Sequence, residues 1–557
     1  MEYYDVLFIH APNLSNFYLP SGRFINNNYI PMGMIALANL VKEANYKTIL
    51  LHLGVEKMLN ANFSVVEYII SHKIKFVGLD LFWFHQSFDV IDIAMKIKQR
   101  DPSIFIYIGG LTASYYAEEI LSNFDCIDAV SCGYGESNIL QLVDSVLHQN
   151  IAFSDISNLY FRSKGKITYS KTGIICPDII HQLNYSNLEV ISNYQEYVDY
   201  FGLHEMPLNI YDCHKKIMNH SINTKMFPLA IGRGCDTSCI YCGGNKGTCK
   251  KLYGDDYLVW RDIDTVVEDI IKVMSYGYNK IFICFDPVND NNGYYIRLFQ
   301  RIKACGVSVS MYFECWKLPS LEFIKAFSET FNDNNSHLLI SIDTVSEKIR
   351  KSTRGSIFTN DELMNTLKNL DSFNVRYDLC FSLALPGSSF REDFKTYEYM
   401  KNALKSFKMI GRVITFLIDL VPGSLIYENP EKFDAQINMH SFMDYYNSFK
   451  HPLHSTYALC EYKLNHYFND ERDEGSIEDF SKRLQYIKCR YFCGINEQYN
   501  DQEDFDKNAV NCANQRQKVY DEIGVNIRAV PFNENHTYND ELKEFMDNFE
   551  VCRETYK

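Results

Sequence analysis

The stretch Gly232-Arg-Gly-Cys235-Asp-Thr-Ser-Cys239-Ile-Tyr-Cys242 places three cysteines at Cys-x3-Cys-x2-Cys spacing. The apolar run at residues 227–231, just before it, predicts a strand that delivers the cysteines on one loop. Iron–sulfur clusters are held by cysteine thiolates and usually take four of them. A compact loop with three therefore predicts a cluster in which one iron is open to another ligand. Three unligated cysteines, or a zinc site that lacks its fourth ligand, remain the alternatives.

The bulk composition indicates an intracellular protein of several domains. At 557 residues the chain is long enough for about three or four domains. Its formal charge is −15, from 55 basic and 70 acidic side chains, which argues against nucleic acids and anionic membranes as main partners. We find no signal peptide and no apolar segment near the roughly 20 residues of a membrane span. The 17 cysteines then predict reduced thiols in the cytoplasm.

Residues 1–150 alternate predicted strands with helices. Apolar runs at 5–10, 48–53, 76–82, 104–108 and 128–131 predict strands, and residues 31–43 have apolar positions at helical spacing. Such alternation predicts a doubly wound parallel sheet, whose ligands bind beyond the carboxyl ends of the strands. At those ends the chain has His10, His52, Asp80 and two glycine clusters, Gly109-Gly-Leu-Thr-Ala-Ser114 and Gly133-Tyr-Gly-Glu136.

The rest of the chain divides into three predicted regions. Residues 151–220 show no clean period apart from a hairpin near 158–169, and we assign them to a connector. Residues 221–425 alternate again, with strands expected at 227–231, 280–285, 307–313, 337–342, 377–385 and 414–421. Six strands with helices outside predict a partial (β/α)6 barrel. Residues 426–557 form a carboxyl-terminal substrate or capping region, expected to be mostly α-helical.

The cysteine loop, with its Arg-Gly lead-in and Tyr241, resembles the radical S-adenosylmethionine superfamily. The resemblance implies that Cys235, Cys239 and Cys242 hold a 4Fe–4S cluster whose open iron takes the amino and carboxylate groups of the methionine moiety. The residues implied to bind S-adenosylmethionine are Tyr241, Asp286, Ser341, Asp343 and Arg354. For Arg354, and for Arg350 beside it, a solvated helix end is the alternative.

The two glycine clusters ahead of that loop resemble the cobalamin-dependent subgroup of the superfamily. The residues that this implies for cobalamin binding are His10, Gly33, His52, Asp80, Gly109, Gly110, Thr112, Ser114, Gly133, Gly135 and Glu136. Many corrinoid proteins carry Asp-x-His-x-x-Gly after the first strand, and this chain does not, so we expect no histidine on cobalt and treat His10 and His52 as wall residues. Trp83 and His85 are candidates for the face toward the barrel, with simple packing as the alternative. A Rossmann-like domain without a cofactor is the alternative for the whole region.

The resemblance implies an enzyme in which the cofactors supply the difficult chemistry, a 5′-deoxyadenosyl radical and a methyl group on cobalamin. It implies a C-methyltransferase acting on a peptide or secondary-metabolite intermediate, with a flavodoxin- or ferredoxin-like electron donor. Alternatives are cyclisation or rearrangement with the same cofactors, methyl transfer without the adenosyl radical, and a sensor without turnover. Glu314 and Cys315 are unranked candidates at the barrel mouth. An auxiliary cluster at Cys489 and Cys493, with Cys512 and Cys552 beyond, is a further open alternative.

Overall fold

The computed structural model describes most of the chain up to residue 450 and one strand beyond it. The described residues are 3–11, 29–60, 62–173, 177–201, 225–254, 258–286, 293–355, 358–389, 392–393, 395–396, 399, 406–418, 421–437, 439–450 and 462–464. Two large sheets dominate this part of the chain, one with seven strands and one with six.

The first sheet has the strand order β2-β1-β3-β4-β5-β6-β7. Its strands are β1 Val6–His10, β2 Thr48–His52, β3 Phe76–Asp80, β4 Phe105–Gly109, β5 Ala129–Ser131, β6 Leu159–Ser163 and β7 Lys166–Tyr169. Its α-helices are Met32–Glu43, Leu53–Leu59, Val65–Ser71, Ser87–Arg100, Leu111–Tyr115, Ala117–Asn123 and Ile139–His148. Short helical turns are Phe84–Gln86, Gly135–Ser137, Phe153–Asp155, Pro177–Gln182, Leu188–Val190, Tyr194–Glu196 and Tyr197–Phe201.

The strands β1 to β5 are parallel, which confirms the predicted doubly wound sheet. Both β1 and β3 are buried along their whole length, as expected where helices cover both faces of a sheet. The neighbours of β1 are β2 on one side and β3 on the other, so the chain winds in opposite directions from β1. Such a switch point opens a crevice at the carboxyl ends of the strands, where ligands bind.

The hairpin near residue 160 is an edge of this sheet. In the sequence it falls in the region that we assigned to a connector, but β6 pairs antiparallel with β5, and β7 pairs with β6. The turn consists of Lys164 and Gly165, with φ values of 49° and 75°. Two positive φ values are the mark of a type I′ turn, whose twist suits a tight hairpin. The first sheet therefore continues to Tyr169.

The second sheet is an open barrel of six parallel strands, as predicted. In spatial order they are β8 Met226–Pro228, β11 Lys280–Ile283, β12 Ser310–Cys315, β13 His337–Asp343, β14 Arg376–Leu383 and β15 Ile410–Leu417. A small antiparallel pair, β9 Gly232–Arg233 and β10 Val259–Trp260, lies beside the cysteine loop. The helices are Lys246–Tyr253, Ile263–Met274, Gly293–Ala304, Leu321–Thr330, Glu347–Arg354 and Asn360–Ser372.

Several strand boundaries in the barrel differ from the sequence expectation, and the largest shifts of a strand start are in the third and sixth strands. The third strand begins at Ser310 rather than at residue 307, because Val307 still closes the preceding helix through its N–H bond to Ile302 O. The sixth strand begins at Ile410, where it pairs with Tyr377, rather than at residue 414. Both shifts are set by contacts between segments and leave the order of the elements unchanged.

The carboxyl-terminal part returns to the first domain. Its described elements are the helices Leu425–Glu428 and Phe442–Phe449, the turn Pro430–Phe433 and the antiparallel strands β16 Ala435–Ile437 and β17 Tyr462–Leu464. Helix Phe442–Phe449 packs on the first sheet's helices, with Tyr445 against Phe84 at 5.1 Å and Tyr446 against Phe124 at 5.0 Å between ring centres. The strand pair shows that this region is not purely helical. Cys489, Cys493, Cys512 and Cys552 lie outside the described residues.

Within the part of the chain described above, no helix combines the length and the apolar character that a membrane span requires.

Candidate functional site

The three cysteines lie on the loop that follows β9. The Sγ atoms of Cys235 and Cys239 lie 2.9 Å and 3.7 Å from the hydroxyl of Thr237. Burial raises the pKa of Cys242 to about 12, and the nearby thiols of Cys239 and Cys235 add to the shift. Without a positive partner the Cys242 thiol keeps its proton, whereas a bound metal removes the proton of a coordinating thiol outright. The donor set therefore fits a cationic metal group on this loop.

The spacing of these thiols bears on the choice between a cluster and a single zinc ion. Among the described residues, no three His, Cys, Asp or Glu side chains are arranged to hold one metal ion. Thiolates on one zinc lie about 4 Å apart, since each Zn–S bond is about 2.3 Å. Thiolates on a 4Fe–4S cluster bind different iron atoms and can be spread more widely. Three cysteines on one loop are the thiolate donors that such a cluster uses.

Asn245 orders this loop, and the sequence reasoning did not single it out. Its Oδ1 accepts the N–H groups of Gly247 and Thr248 at 2.8 Å and 3.0 Å, which caps helix Lys246–Tyr253. Its Nδ2 donates to the backbone oxygens of Cys239 and Cys242 at 3.2 Å and 2.5 Å. One buried amide therefore fixes both the following helix and the backbone of two cluster cysteines. The available signal was an asparagine directly before a helix, which is a favoured cap position.

We expect Asn245→Asp to reduce the iron content of the reconstituted protein while helix Lys246–Tyr253 stays capped. Aspartate keeps the oxygen that accepts from Thr248 but loses the amide that donates to the cysteine carbonyls, and its charge repels them. Asn245→Ala removes both functions and should cost about 1 kcal/mol more in stability than the aspartate variant. Iron and sulfide per chain, measured after anaerobic reconstitution, check the expectation. Iron content equal to wild type in Asn245→Asp would contradict it.

Asp343 is the centre of a buried hydrogen-bond network. Its Oδ2 accepts from Tyr241 Oη at 2.9 Å and from Arg354 Nη1 at 3.0 Å. Its Oδ1 accepts from Ser382 Oγ at 3.1 Å, and Arg354 also donates to Ser341 O at 2.9 Å. Burial alone would lower the pKa of Arg354, but the Asp343 carboxylate raises this pKa above its ordinary value. The structure thus brings together four of the five residues expected to bind S-adenosylmethionine.

The backbone at Asp343 makes this convergence possible. Its φ is +63°, and the pairing of β13 with β14 skips a residue between Ser341 and Asp343. Such a bulge turns a side chain out of the regular alternation of the strand. Arg350, the other arginine of this segment, is buried and donates to Thr344 O, Phe358 O and Asn360 Oδ1. It fixes the loop, and neither arginine is a solvated helix end.

Asp286 lies at the end of β11 with one oxygen engaged and the other without a partner. Its Oδ2 accepts from the N–H groups of Trp316 and Lys317 at 2.9 Å and 3.4 Å. Its Oδ1 is buried and has no hydrogen-bond partner among the described atoms. Burial raises the pKa of this carboxyl to about 6, although Lys317 and Arg354 act against the shift. A buried, unpartnered carboxylate oxygen is a fitting acceptor for the N–H groups of a ligand's amino group.

We expect affinity for S-adenosylmethionine to fall about tenfold between pH 7 and pH 5. With a pKa of about 6, Asp286 is ionised at pH 7 and loses the charge that would pair with the amino group as the pH falls. The folded protein holds this proton more tightly than the unfolded chain. The stability gained from it is therefore full below about pH 4 and is lost as the pH rises through about 6. Equilibrium dialysis with labelled S-adenosylmethionine tests this, and Asp286→Asn should bind weakly with a flat profile. A flat wild-type profile would contradict the role of Asp286.

In the first domain, hydrogen bonds link the two glycine clusters at the carboxyl edge of the sheet. Ser114 Oγ donates to Gly110 O at 2.7 Å and accepts from Gly133 N at 3.0 Å. Thr112 Oγ1 donates to Phe82 O at 3.0 Å. Gly110 has a φ of +115°, and a Cβ there would lie 2.7 Å from the backbone of Phe82, so no larger residue fits. The loops after β3, β4 and β5 thus form one rigid cradle.

The histidines expected as wall residues are fully buried at the carboxyl ends of β1 and β2. His10 Nδ1 lies 2.9 Å from Asp80 Oδ2, and Gln86 Nε2 donates to the same oxygen at 3.0 Å. His52 Nδ1 accepts from Val55 N at 3.2 Å, and the His10 and His52 rings are 5.0 Å apart. Asp80 Oδ1 is buried without a hydrogen-bond partner among the described atoms. The structure therefore brings His10, His52 and Asp80 together at the switch point of the sheet.

The remaining candidates of the first domain have different surroundings. Gly33 lies at the start of helix Met32–Glu43, with open space where a Cβ would be. A Cβ on Gly135 would lie 2.9 Å from Leu37 and 3.1 Å from the hydroxyl of Tyr107, so a larger residue would be crowded there. His85 lies beside Phe84 and Phe449, and burial lowers its pKa to about 4, so it is neutral at physiological pH. Gly109 precedes Gly110 at the end of β4. The assignment of these residues to cobalamin stays a prediction.

Glu136 reaches from the first domain to the cysteine loop. Its carboxylate forms an ion pair with Arg233, the residue two positions before Cys235. The Arg233 guanidinium also lies over the Tyr134 ring, 4.0 Å from its centre. The two side chains are 5% and 14% exposed, so water screens the pair only weakly. Sequence reasoning placed Glu136 at the cobalamin edge but did not find this partner.

We expect Glu136→Gln to lower the unfolding midpoint of the protein, because it leaves the buried Arg233 charge without its partner. Loss of one member of a buried ion pair costs about 3 kcal/mol or more. Lys251→Met is the matched control, since Lys251 and Glu428 form an exposed pair at 2.8 Å whose loss should cost under about 1 kcal/mol. Urea unfolding followed by fluorescence measures both. Equal shifts in the two variants would contradict the expectation.

The sequence matches two known domain families. Residues 24–143 match the B12 binding domain, and residues 229–400 match the radical SAM superfamily. A curated relative, the uncharacterized methyltransferase PH0819 of Pyrococcus horikoshii, is 21% identical over 383 residues, which is 68% of this chain and 74% of the relative.

Solved structures share the arrangement of both domains. The radical S-adenosylmethionine methyltransferase TsrM from Kitasatospora setae, with cobalamin and a [4Fe-4S] cluster bound, aligns with a TM-score of 0.57 at 14% identity, covering 80% of this chain and 84% of that chain. The cobalamin-dependent S-adenosylmethionine radical enzyme OxsB, with aqua-cobalamin bound, aligns with a TM-score of 0.54 at 11% identity, covering 100% of this chain and 80% of that one. At such identities the likeness shows the common fold.

The cofactors of the chain follow from its two domains: cobalamin for the first, and a 4Fe–4S cluster with S-adenosylmethionine for the second. The first domain contains the parallel sheet with the glycine cradle. The second contains the six-stranded barrel with the three-cysteine loop. The chain belongs to the cobalamin-dependent radical S-adenosylmethionine enzymes.

Proposed function

We propose that this enzyme is a C-methyltransferase that acts on a peptide or secondary-metabolite intermediate. When bound, the cofactors supply a 5′-deoxyadenosyl radical and a methyl group carried by cobalamin. The observation that carries the proposal is the direct contact between the two cofactor domains, where Glu136 beside the glycine cradle holds Arg233 beside the cluster loop. Two similar proteins, TsrM and PH0819, are described as methyltransferases, which supports the same activity here.

We assign the chain's own residues to binding and positioning. Cys235, Cys239 and Cys242 hold the cluster, and Asp286 accepts the amino group of S-adenosylmethionine on its unpartnered oxygen. The Asp343 network, through Arg354, supports the ribose and carboxylate side of the same ligand. These groups fix the reacting parts at close range, which is how a protein contributes when the cofactors carry the chemistry. The cradle of Gly110, Thr112, Ser114 and Gly133 holds cobalamin, and a flavodoxin- or ferredoxin-like protein supplies electrons.

Anaerobic turnover with deuterated-methyl S-adenosylmethionine tests the proposal. The holoenzyme is incubated with a one-electron reductant, and bound cobalamin, S-adenosylhomocysteine and 5′-deoxyadenosine are analysed by mass spectrometry. We expect labelled methyl on cobalamin together with S-adenosylhomocysteine. With cobalamin and cluster both bound, absence of S-adenosylhomocysteine would overturn the methyltransferase assignment.

The second candidate function is a cyclisation or rearrangement with the same cofactors. The neighbour OxsB, described as a cobalamin-dependent S-adenosylmethionine radical enzyme, supports keeping it. This function predicts 5′-deoxyadenosine without S-adenosylhomocysteine, and a product that gains no methyl mass. The same turnover samples therefore separate the two functions.

A further inference from the structure

Cys284 and Glu314 form a thiol–carboxylate pair at the carboxyl ends of two neighbouring barrel strands. Ile283 of β11 lies opposite Phe313 of β12, so the next residues of the two strands are adjacent. The thiol of Cys284 donates to Glu314 Oε2 at 2.6 Å. The sequence reasoning left Glu314 unranked and did not single out Cys284 among the 17 cysteines of the chain.

The pair points into the barrel. Side chains alternate between the two faces of a strand, and Ile283 and Phe313 belong to the core beneath the outer helices. Cys284 and Glu314 therefore face inward. One step lower, the rings of Phe282 and Tyr312 stack at 5.2 Å within an inner apolar cluster. The polar pair therefore lies next to an apolar cluster inside the barrel.

We call the space inside the carboxyl ends of the barrel strands the chamber. Cys284 is exposed there rather than sealed in the core. The Trp316 side chain hydrogen-bonds with both Cys284 and Glu314. Burial raises the pKa of Tyr29 in the first domain, and Cys284 and Glu314 add to the shift, so Tyr29 lies near the pair. The ring centres of Tyr29 and Trp83 are 5.7 Å apart.

The chamber also adjoins the cluster loop. The charge of Cys242 is among the groups that act on Cys284. Phe285, the residue after Cys284, packs against Gly232 at the start of the cysteine loop, where a Cβ would meet its ring. Asp286, assigned to S-adenosylmethionine above, follows Cys284 by two residues. The thiol therefore lies at the end of the barrel where this ligand would bind.

The surroundings of Cys284 hold it in the thiol form. Burial, the Glu314 charge and the hydrogen bond to Glu314 raise the pKa of Cys284 well above its ordinary value. Nucleophilic and metal-binding reactions of cysteine need the thiolate, and this site disfavours it. The S–H bond is weaker than the C–H bond of an alkyl group, so a primary carbon radical takes hydrogen from a thiol downhill. The site suits hydrogen-atom transfer rather than ligation.

We propose that Cys284 is a hydrogen-atom donor to the 5′-deoxyadenosyl radical when the chamber holds no substrate, and that Glu314 returns the proton. The S–H bond breaks and the 5′ C–H bond forms, which leaves 5′-deoxyadenosine and a Cys284 thiyl radical. One electron from the reductant that also serves the cluster converts the thiyl to a thiolate. The Glu314 carboxylate takes a proton from water and passes it to the thiolate, which restores the thiol and the carboxylate that accepts its hydrogen bond. The pair thereby ends an unproductive radical cycle, and the inference rests on the radical chemistry of the proposed function.

Deuterium tracing tests this donor without knowledge of the substrate. The holoenzyme is incubated in D2O with S-adenosylmethionine and titanium(III) citrate, and 5′-deoxyadenosine is analysed by mass spectrometry. A thiol hydrogen exchanges with solvent and a carbon-bound hydrogen does not, so we expect mostly mono-deuterated product. Cys284→Ser should lose most of this deuterium, because an O–H bond is too strong to give its hydrogen. Cys305→Ser is the matched control, since Cys305 is also exposed but follows helix Gly293–Ala304 outside the chamber.

Two results would overturn the proposal. One is undeuterated product or no 5′-deoxyadenosine from the wild type. The other is unchanged deuterium in Cys284→Ser, in which case Tyr29→Phe and Cys380→Ser locate the exchangeable hydrogen instead. Glu314→Gln should keep deuterium in the first turnover and slow the later ones, and unchanged multiple turnover would remove Glu314 from the scheme. S-adenosylhomocysteine measured in the same samples reports separately on the proposed function.

A readout on the cofactor-free protein tests the pair itself. Loss of the Glu314 charge and hydrogen bond should lower the pKa of Cys284, so Glu314→Gln should raise the alkylation rate of Cys284 by iodoacetamide severalfold. Alkylation of Cys305, followed by peptide mass spectrometry in the same sample, should stay unchanged. Equal Cys284 rates in wild type and variant would show that Glu314 does not control the thiol.

Discussion

Replacement of Cys235, Cys239 and Cys242 by alanine will abolish the cluster and, with it, both 5′-deoxyadenosine and reduction-dependent turnover. The three thiols are on one loop, and burial raises the pKa of Cys239 and Cys242. A bound cluster stabilises these buried thiolates with its positive charge. Alanine supplies no thiolate, so the variant cannot hold the cluster. Absorbance near 400 nm and iron per chain measure the loss.

The control for this variant is Cys249→Ala. Cys249 lies on the next helix, its thiol is 3.4 Å from Gly244 O, and its charge acts on Cys242. It is outside the three-cysteine spacing, so its variant should keep wild-type iron content. Full cobalamin binding by the triple variant would show that the first domain is intact. Retention of a cluster in the triple variant would contradict the assignment of the loop.

Asp343→Asn should be the most damaging single substitution in the barrel. The carboxylate is 5% exposed and serves Tyr241, Ser382 and Arg354 at once. Asparagine leaves the buried Arg354 charge unpaired and presents an N–H group to a donor, so we expect a loss of about 3–5 kcal/mol in unfolding free energy. Affinity for S-adenosylmethionine should fall with it, because Arg354 loses the group that orients it.

Tyr241→Phe is the control for Asp343→Asn. It removes one hydrogen bond to the same carboxylate and leaves the ion pair with Arg354 at 3.0 Å, so its cost should be about 1–3 kcal/mol. Urea unfolding of the anaerobic, cofactor-free proteins compares the two, with dialysis against labelled S-adenosylmethionine as the second measurement. A loss in Asp343→Asn no larger than in Tyr241→Phe would show that the ion pair is not the centre of the network.

Local sequence patterns were sufficient for the order of strands and helices. Runs such as residues 76–82 and 280–285 carry their own periodicity, and the short Cys-x3-Cys-x2-Cys spacing needs no distant partner. The resemblance that these motifs carry then pointed to Tyr241, Asp343 and Arg354, which the structure brings together.

What the sequence could not provide are the pairings between distant segments. Glu136 and Arg233 are 97 positions apart, and nothing local to either residue indicates the other. The bulge at Asp343 depends on how β13 pairs with β14, and the hairpin joins the first sheet only through β5. Cys284 becomes distinct from the other cysteines only when Glu314 is placed beside it. Asn245 is the exception, because its cap position could have been recognised locally.

The docking of helix Phe442–Phe449 on the first domain has a consequence for synthesis on the ribosome. Phe84 and Phe124 are 4% and 8% exposed in the finished protein, partly because this helix contacts them. The helix is translated roughly 300 residues after Phe124, which takes tens of seconds at about 5–20 residues per second. During that interval the nascent first domain presents an uncovered aromatic surface. The first domain can therefore complete this part of its packing only after translation has passed residue 449.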